Sequence, residues 1–583
     1  MAAHHSFDVG HRVAWQADSS SEQVQVATSS ASARSDSPLA RKARGAFFTP
    51  AGLCDYVVTW AVRDPNDLVL EPSCGEAAFL AAAGRRLRAL DGGQQRSRSQ
   101  LIGYELHEDS AELARARLAS VGVEADVEVA DFFGVEPVAC YDAVVGNPPY
   151  IRYQDFSGEA RTRSRAAALR AGVSLSGLAS SWAAFTVHAA LFLKPEGRLG
   201  LVLPAELLSV NYAAGVRRYL MERFSRVRLV LFDKRVFPGV QEEVVLLLAE
   251  GTGPTDCCEL RQVANLAELD AREDRSRRWR PVRPEGKWTP SLMSAEAQQA
   301  YTDVTCGSGF ATLQDWGETT LGMVTGNNRY FALSPSRADE LGLDVADVIA
   351  VSPPGSRHLR ALALTEVAWR ELGKMGKSTL LFRPSSSPSP AAQAYIRAGE
   401  ETNVHEAYKC RVRSPWWRVP LVPPPDLFLT YMNADAPRLC SNRIRAHHLN
   451  SVHGLYLRPG LRRIGIDLLP LGALNSLTLL GAEAVGRSYG GGMLKLEPRE
   501  ADRLPVPSPA SLISAWKSLS AIRPCVAQAL RGGSLRDAVR LVDDCLLVEH
   551  LDLARSQVKV LREAYEEMSA RRRARGTEPH VPG

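Results

Sequence analysis

The residues of this chain richest in chemical possibility are Asn147-Pro148-Pro149-Tyr150, which follow directly on the apolar run 141–146. A planar amino group carries two protons and needs two acceptors. The Asn side chain offers one, and a backbone carbonyl aimed by the rigid Pro-Pro pair offers the other. Tyr150 adds an aromatic face against which a flat substrate can stack. A base swung out of a duplex suits such a site, and so does a glutamine amide. The tetrapeptide alone leaves that choice open.

Upstream, three further segments carry groups of related use. Glu71-Pro72-Ser73-Cys74-Gly75 joins an acidic strand end to a tight turn. Gly75 permits a nucleotide-like ligand to approach the backbone there. Ala77 takes the next small position, which requires that its backbone keep a negative φ. Glu105, some thirty residues on, stands where a carboxylate accepts hydrogen bonds from ribose hydroxyls. Asp131-Phe132 offers an acceptor for an adenine amino group and a ring to lie against its face. Singly, these read as a strand-end charge, a solvated acid and a helix N-cap. In this order, before Asn147, they point to one shared site.

The elements that must position these groups are short β-rich runs at 68–71, 101–105, 127–130, 143–146, 198–203, 227–232 and 244–248. Longer Ala/Leu/Arg segments separate them, the pattern of a doubly wound α/β sheet. Seven strands are therefore expected, the first five parallel. The last two are joined by a short segment with Pro238-Gly239, too brief for a crossover helix. They should form an antiparallel hairpin at the end of the sheet.

At 583 residues the chain needs more than one core. Residues 1–40, rich in Ser and Ala, read as a flexible tail, 41–251 as the sheet domain and 252–289 as a charged linker. A second, mixed α+β domain follows over 290–515, and 516–583 read as amphipathic helices and a basic tail, Arg571-Arg572-Arg573-Ala574-Arg575. The net charge of +5 is compatible with a polyanionic partner without demanding one. Ten cysteines without a Cys-x-x-Cys pair argue against a zinc cluster or a secreted disulfide framework, and His447-His448 lack partners for zinc, so no metal is expected. There is no signal-like start and no apolar stretch of membrane-spanning length. A cytoplasmic protein without a membrane partner is expected.

In their order the motifs resemble those of class I S-adenosylmethionine-dependent methyltransferases, and within them the DNA amino-methylating enzymes of the gamma, or TaqI-like, class. Gly45-Ala46-Phe47-Phe48-Thr49-Pro50 looks like that class's N-terminal cofactor motif. The resemblance implies a Rossmann-like sheet with an antiparallel last strand, and S-adenosyl-L-methionine as cofactor. It implies cofactor contacts from Phe47, Thr49, Glu71, Ser73, Gly75, Glu105, Asp131, Phe132, Asn147, Pro149 and Phe185. It implies catalysis by Asn147, Pro148, Pro149 and Tyr150, and stacking of the base between Tyr150 and Phe237. Phe185 also reads as a core residue of an amphipathic helix, and Phe237 as a buried hairpin residue.

In the second domain, clusters of basic, amide and aromatic residues are of the types that reach phosphates and base edges. Asn327, Arg329, Arg413, Trp417, Arg443, Arg487 and Tyr489 are the candidate DNA contacts. Relatives that methylate glutamine or RNA are generally compact, whereas a large domain is what reading a duplex requires. A non-catalytic DNA-binding subunit is the third reading, disfavoured because every motif position holds a competent residue. The resemblance thus implies methylation of adenine N6 in double-stranded DNA, with cytosine N4 still open. It also implies a separate restriction endonuclease or other defence-system subunits as partners.

Overall fold

The computed structural model describes residues 49–92, 99–156, 158–232, 243–269 and 276–574. The expected tail, Phe47 and Phe237 lie outside them.

The sheet grows from alternating buried runs. Its strands are β1 (Val69–Glu71), β2 (Leu101–Glu105), β3 (Asp126–Val129), β4 (Tyr141–Gly146), β5 (Leu193–Pro204), β6 (Arg226–Phe232), β7 (Val244–Glu250), β8 (Cys258–Val263) and β9 (Arg277–Trp279). They lie in the order β3-β2-β1-β4-β5-β7-β6-β8-β9. β1 to β5 are mutually parallel, and β7 runs antiparallel between β5 and β6. Because β4 is flanked by strands on both sides, its residues from Ala143 to Gly146 are small or apolar and buried on both faces. Ala143 and Val145 face helices α1 (Ala51–Ala61), α2 (Ala78–Leu90) and α3 (Glu108–Ser120); Val144 faces α4 (Gly158–Arg170), α5 (Ser181–Ala189) and α6 (Ala214–Arg223).

Two expectations need correction here. Among the described residues the sheet has nine strands rather than seven; β7 is antiparallel as expected but is inserted between β5 and β6 rather than lying at the end, and the edge is closed by β9, antiparallel to β8. The extra strands come from the segment expected to be a linker. Charged side chains hid β8 because each charge is matched inside the fold. Glu259 pairs with Arg226 and Arg228, while Arg261 donates to the Glu268 and Leu269 carbonyls. Beyond β9, Trp288 is fully buried against Trp279, and its N–H donates to the Leu208 carbonyl at 2.7 Å.

The second half of the chain is mixed α+β. Its largest sheet has strands β10 (Gly317–Leu321), β11 (Ala363–Leu364), β12 (Leu427–Thr430), β13 (Leu439–Asn442) and β14 (Val452–Leu457), in the order β10-β14-β12-β13-β11. Against it pack α7 (Arg462–Gly472) and the C-terminal helices α9 (Trp516–Arg531) and α10 (Leu535–Val542); α8 (Ser476–Val485) packs on α11 (Arg555–Ala574). Among the described residues no single helix is long and apolar enough to cross a membrane, and the bent pair α7–α8 is largely buried.

The basic run is also corrected. Arg571 and Arg572 lie in the last turn of α11 and are tied into the fold. Arg572 is buried, donating to both Glu483 carboxylate oxygens and to the carbonyls of Ala434, Asp435 and Gly492. Arg571 donates to the Phe232 carbonyl at 2.6 Å and reaches the Glu243 carboxylate at 3.5 Å. A charge run looks solvated in sequence, but here long stems and planar forks fill polar gaps between packed elements.

Candidate active site

The C-terminal ends of β1 and β4 adjoin where the strand order reverses, the place at which open α/β sheets bind ligands. Asn147 leaves β4 at this point. Its amide is held on both sides: Nδ2 donates to Thr49 Oγ1 at 3.1 Å, and Oδ1 accepts from the Tyr150 hydroxyl at 2.6 Å. The same hydroxyl lies 3.0 Å from the Val202 carbonyl of β5. A carbonyl oxygen accepts two hydrogen bonds, so Asn147 Oδ1 keeps a second acceptor site. Pro148 is buried, while Asn147, Pro149 and Tyr150 are half-buried.

Ser181, at the first turn of α5, fixes the peptide chain around the prolines. Its hydroxyl donates to the Pro149 carbonyl and accepts the Ile151 N–H at 2.9 Å. Nothing in the sequence singled it out, because a serine at a helix start reads as a cap and its partners lie thirty residues away.

A narrow cleft opens beside Asn147, lined by Pro72, Ser73, Gly146, Pro148, Phe185 and Leu201 among others. Ser73 is half-buried there. Gly75 has φ +50°, and a Cβ on it would meet nothing within 4 Å, so this turn leaves open the space that a side chain would fill. Ala77 has φ +58°, against the expectation of a negative angle. Left-handed backbone costs an alanine about 1 kcal/mol. Buried packing of its methyl in the α2 core and the Ala77 N–H bond to the Cys74 carbonyl hold it there.

The acidic strand ends are brought to one edge, each with partners inside the chain. Glu71 is buried and accepts the Leu80 N–H of the first turn of α2 at 3.0 Å. Burial pushes its carboxyl well above the usual carboxylate range, against that hydrogen bond. Glu105 accepts the Gly75 N–H at 2.9 Å and the His107 N–H at 3.1 Å, so it braces the turn around Gly75. Asp131 caps the short helix Phe132–Gly134 through the Phe133 N–H and pairs with Arg163 at 3.2 Å.

Phe132 is buried in an aromatic cluster. Its ring stacks on Phe185 at 5.6 Å and on Phe192 at 5.0 Å, with His188 edge-on at 4.9 Å. Phe185 is the member of this cluster that lines the cleft. His188, fully buried, lies with Nε2 3.2 Å from the Phe132 carbonyl, and burial lowers its pKa.

The candidate contacts of the second domain fall into separate groups. Asn327 and Arg329 line an open cleft together with the stacked Tyr330 and Tyr395 rings. Arg413 lies over the neighbouring Phe331 ring and donates to the Val324 carbonyl, and Trp417 packs into the same hydrophobic cluster. Arg487 and Tyr489 share one strand of a small three-stranded sheet. Arg487 binds buried Glu500, whereas Tyr489 is 56% exposed. Arg443 pairs with Asp467, apart from both groups.

Comparison with known proteins divides the chain in the same way. Residues 36–278 match the family profile described as N-6 DNA methylase. Residues 285–547 match the C-terminal domain of the type II methyltransferase M.Eco57I. The type II methyltransferase M.XamI of Xanthomonas campestris pv. amaranthicola is 25% identical over 81% of this chain and 87% of its own length. M.AccI of Acinetobacter calcoaceticus is 22% identical over 79% and 85%. Among solved structures, the type IIL restriction-modification enzyme MmeI in complex with DNA has a similar fold. It has a TM-score of 0.51 at 11% identity, covering 89% of this chain and 75% of that one.

Proposed function

We propose, for a chain that belongs to the N6-adenine DNA methyltransferases of restriction-modification systems, that residues 147–150 carry the transfer and that the acceptor is an adenine drawn out of the duplex. The observation that carries this reading is the fixed amide of Asn147 at the rim of the cleft, its Oδ1 still able to accept one more hydrogen bond. Adenine N6 is a weak nucleophile because its lone pair is delocalised into the ring. Hydrogen bonds from its two protons to Asn147 Oδ1 and the Pro148 carbonyl would localise that pair and aim it; as N6 takes the methyl group, the bonding pair of the broken C–S bond would stay with sulfur and one N6 proton would pass out to water. The Tyr150 hydroxyl steadies the amide while its ring gives the base a face to stack on. No strong general base is needed.

The residues present fit S-adenosyl-L-methionine as the methyl donor. Ser73 and Phe185 supply a polar group and an apolar wall to the cleft, and the open space at Gly75, two residues on from Ser73, supplies a close-approach turn. When bound, the donor supplies an electrophilic methyl group on a sulfonium sulfur. Ser73, Gly75, Asn147, Pro149 and Phe185 would hold it; Glu105 supports the turn, and Glu71 keeps α2 in place from beneath. Asp131 retains lone pairs for the adenine amino group beside its bond to Arg163. Phe132 acts by backing Phe185.

The second domain, residues 290–515, reads the DNA sequence, and the protein acts in the cytoplasm beside a separate endonuclease whose cutting its methylation blocks. Transfer of a labelled methyl group to plasmid DNA tests the chemistry. Asn147→Ala should lose at least about 1000-fold in turnover while weakening donor binding by no more than about tenfold. Near-normal turnover would refute the assignment.

A further inference from the structure

The small sheet that carries Tyr489 stands over the same edge of the large sheet as the site. Its strands Arg487–Tyr489 and Met493–Lys495 are antiparallel and joined through Gly490–Gly492. Gly492 has φ +70°, and a Cβ on it would lie 3.0–3.1 Å from the α11 backbone at Arg572 and Arg573. The turn therefore sits directly on the last turn of α11. There the Arg572 guanidinium holds the Gly492 carbonyl, and next to it Arg571 holds the carbonyl of Phe232.

Phe232 ends β6, and β6 runs parallel to β4 and β5. Its end thus lies on the edge from which Asn147 projects. Three strand spacings of about 4.8 Å separate β6 from β4, so the bracket is anchored about 14 Å from the site along that edge.

On this mounting Tyr489 is exposed yet braced. Lys495 lies between two rings, 5.3 Å from the Tyr489 centroid and 5.3 Å from that of Tyr431, and pairs with Glu497 at 2.7 Å. Beneath the turn, Arg572 is locked by the Glu483 carboxylate. The neighbouring Arg487 binds Glu500, which also holds Lys287, one residue before the buried Trp288. The backbone that carries the ring is thereby fixed. Close approach to a ligand is what glycine turns permit, and an aromatic or apolar wedge on a stiff mount is how proteins part base steps.

We propose that Tyr489 enters the duplex beside the target adenine and holds open the gap that the extruded base leaves. This rests on the reading of residues 147–150 as the site for an extruded adenine. Arg571 and Arg572 are positioning residues that set the ring relative to that site. The role is to lower the cost of extrusion, so it should vanish when extrusion is already easy.

The test uses the full-length protein and a duplex oligonucleotide containing the motif that the wild type methylates in plasmid DNA. A second duplex has an abasic site opposite the target adenine, which removes its pairing. On the intact duplex Tyr489→Ala should lose about 10- to 100-fold in kcat, with Tyr489→Phe close to wild type. On the abasic duplex Tyr489→Ala should recover to within about threefold of wild type, which also shows that the variant is folded. Wild-type kcat on the intact duplex, or an equal loss on both duplexes, would overturn the proposal. A wild type that methylates no DNA motif would instead refute the underlying function.

Discussion

Asn147 is useful because so little of it is free to move. Thr49 and Tyr150 fix its amide, and Ser181 fixes the peptide planes around Pro149 and Ile151. The Pro148 carbonyl, proposed above to accept a hydrogen bond from N6, lies within this clamped stretch, so its aim depends on Ser181. Removing the hydroxyl in Ser181→Ala leaves the Ile151 N–H and the Pro149 carbonyl without that partner, at about 1–2 kcal/mol. Turnover should fall about tenfold or more with donor affinity unchanged within about threefold, measured by steady-state methyl transfer and titration calorimetry. An unchanged kcat would show that the prolines hold their geometry unaided. At this scale the sequence was informative where residue types are chemically rare, as in Asn-Pro-Pro-Tyr. It was uninformative where common residues act through distant partners: Ser181 carries no local sign of its role, and neither does the Val202 carbonyl.

At the scale of elements, the apolar runs of β4 and β7 were legible because strands buried on both faces leave almost no polar positions. β8 was not, because Glu259 is compensated by Arg226 and Arg228 and Arg261 reaches the Tyr56 hydroxyl, all partners far along the chain. The insertion of β7 between β5 and β6 is likewise a matter of tertiary pairing. Helix α5 shows the energetic side of the same packing. Its His188 is fully buried between Phe132 and Phe192, and burial keeps its pKa below the ordinary value of 6.5. For a histidine whose folded pKa is lowered, the neutral form is the one the fold accepts. The associated stability is present above pH 6.5 and is lost as pH falls through the folded value. Thermal unfolding followed from about pH 8 to about pH 5 should therefore show a steeper loss for the wild type than for His188→Gln, which does not titrate there. Parallel curves would contradict this role.

At the scale of the molecule, the two halves are joined by specific buried groups. Trp288 seats the chain leaving the first core, Lys287 and Arg487 meet on Glu500, and Arg571 reaches from the final helix to the end of β6. Desolvation lowers the Lys287 pKa to about 8 even with Glu500 beside it, which marks how thoroughly water is excluded from this joint. The length of the chain and its aromatic, basic second half were enough to expect a recognition domain. Its sheets were not legible, since strands such as Ala363–Leu364 and Met432–Asn433 are too short to show a period. The central claim is methylation of adenine N6 in DNA, and the most direct test is base-resolved sequencing with nucleoside mass spectrometry. DNA would be taken from a host lacking adenine methylation and expressing either the wild type or Asn147→Ala. The expected result is N6-methyladenine at one sequence motif with the wild type and none with the variant. N4-methylcytosine in its place, or unmodified DNA with methylated RNA or protein glutamine, would contradict the account.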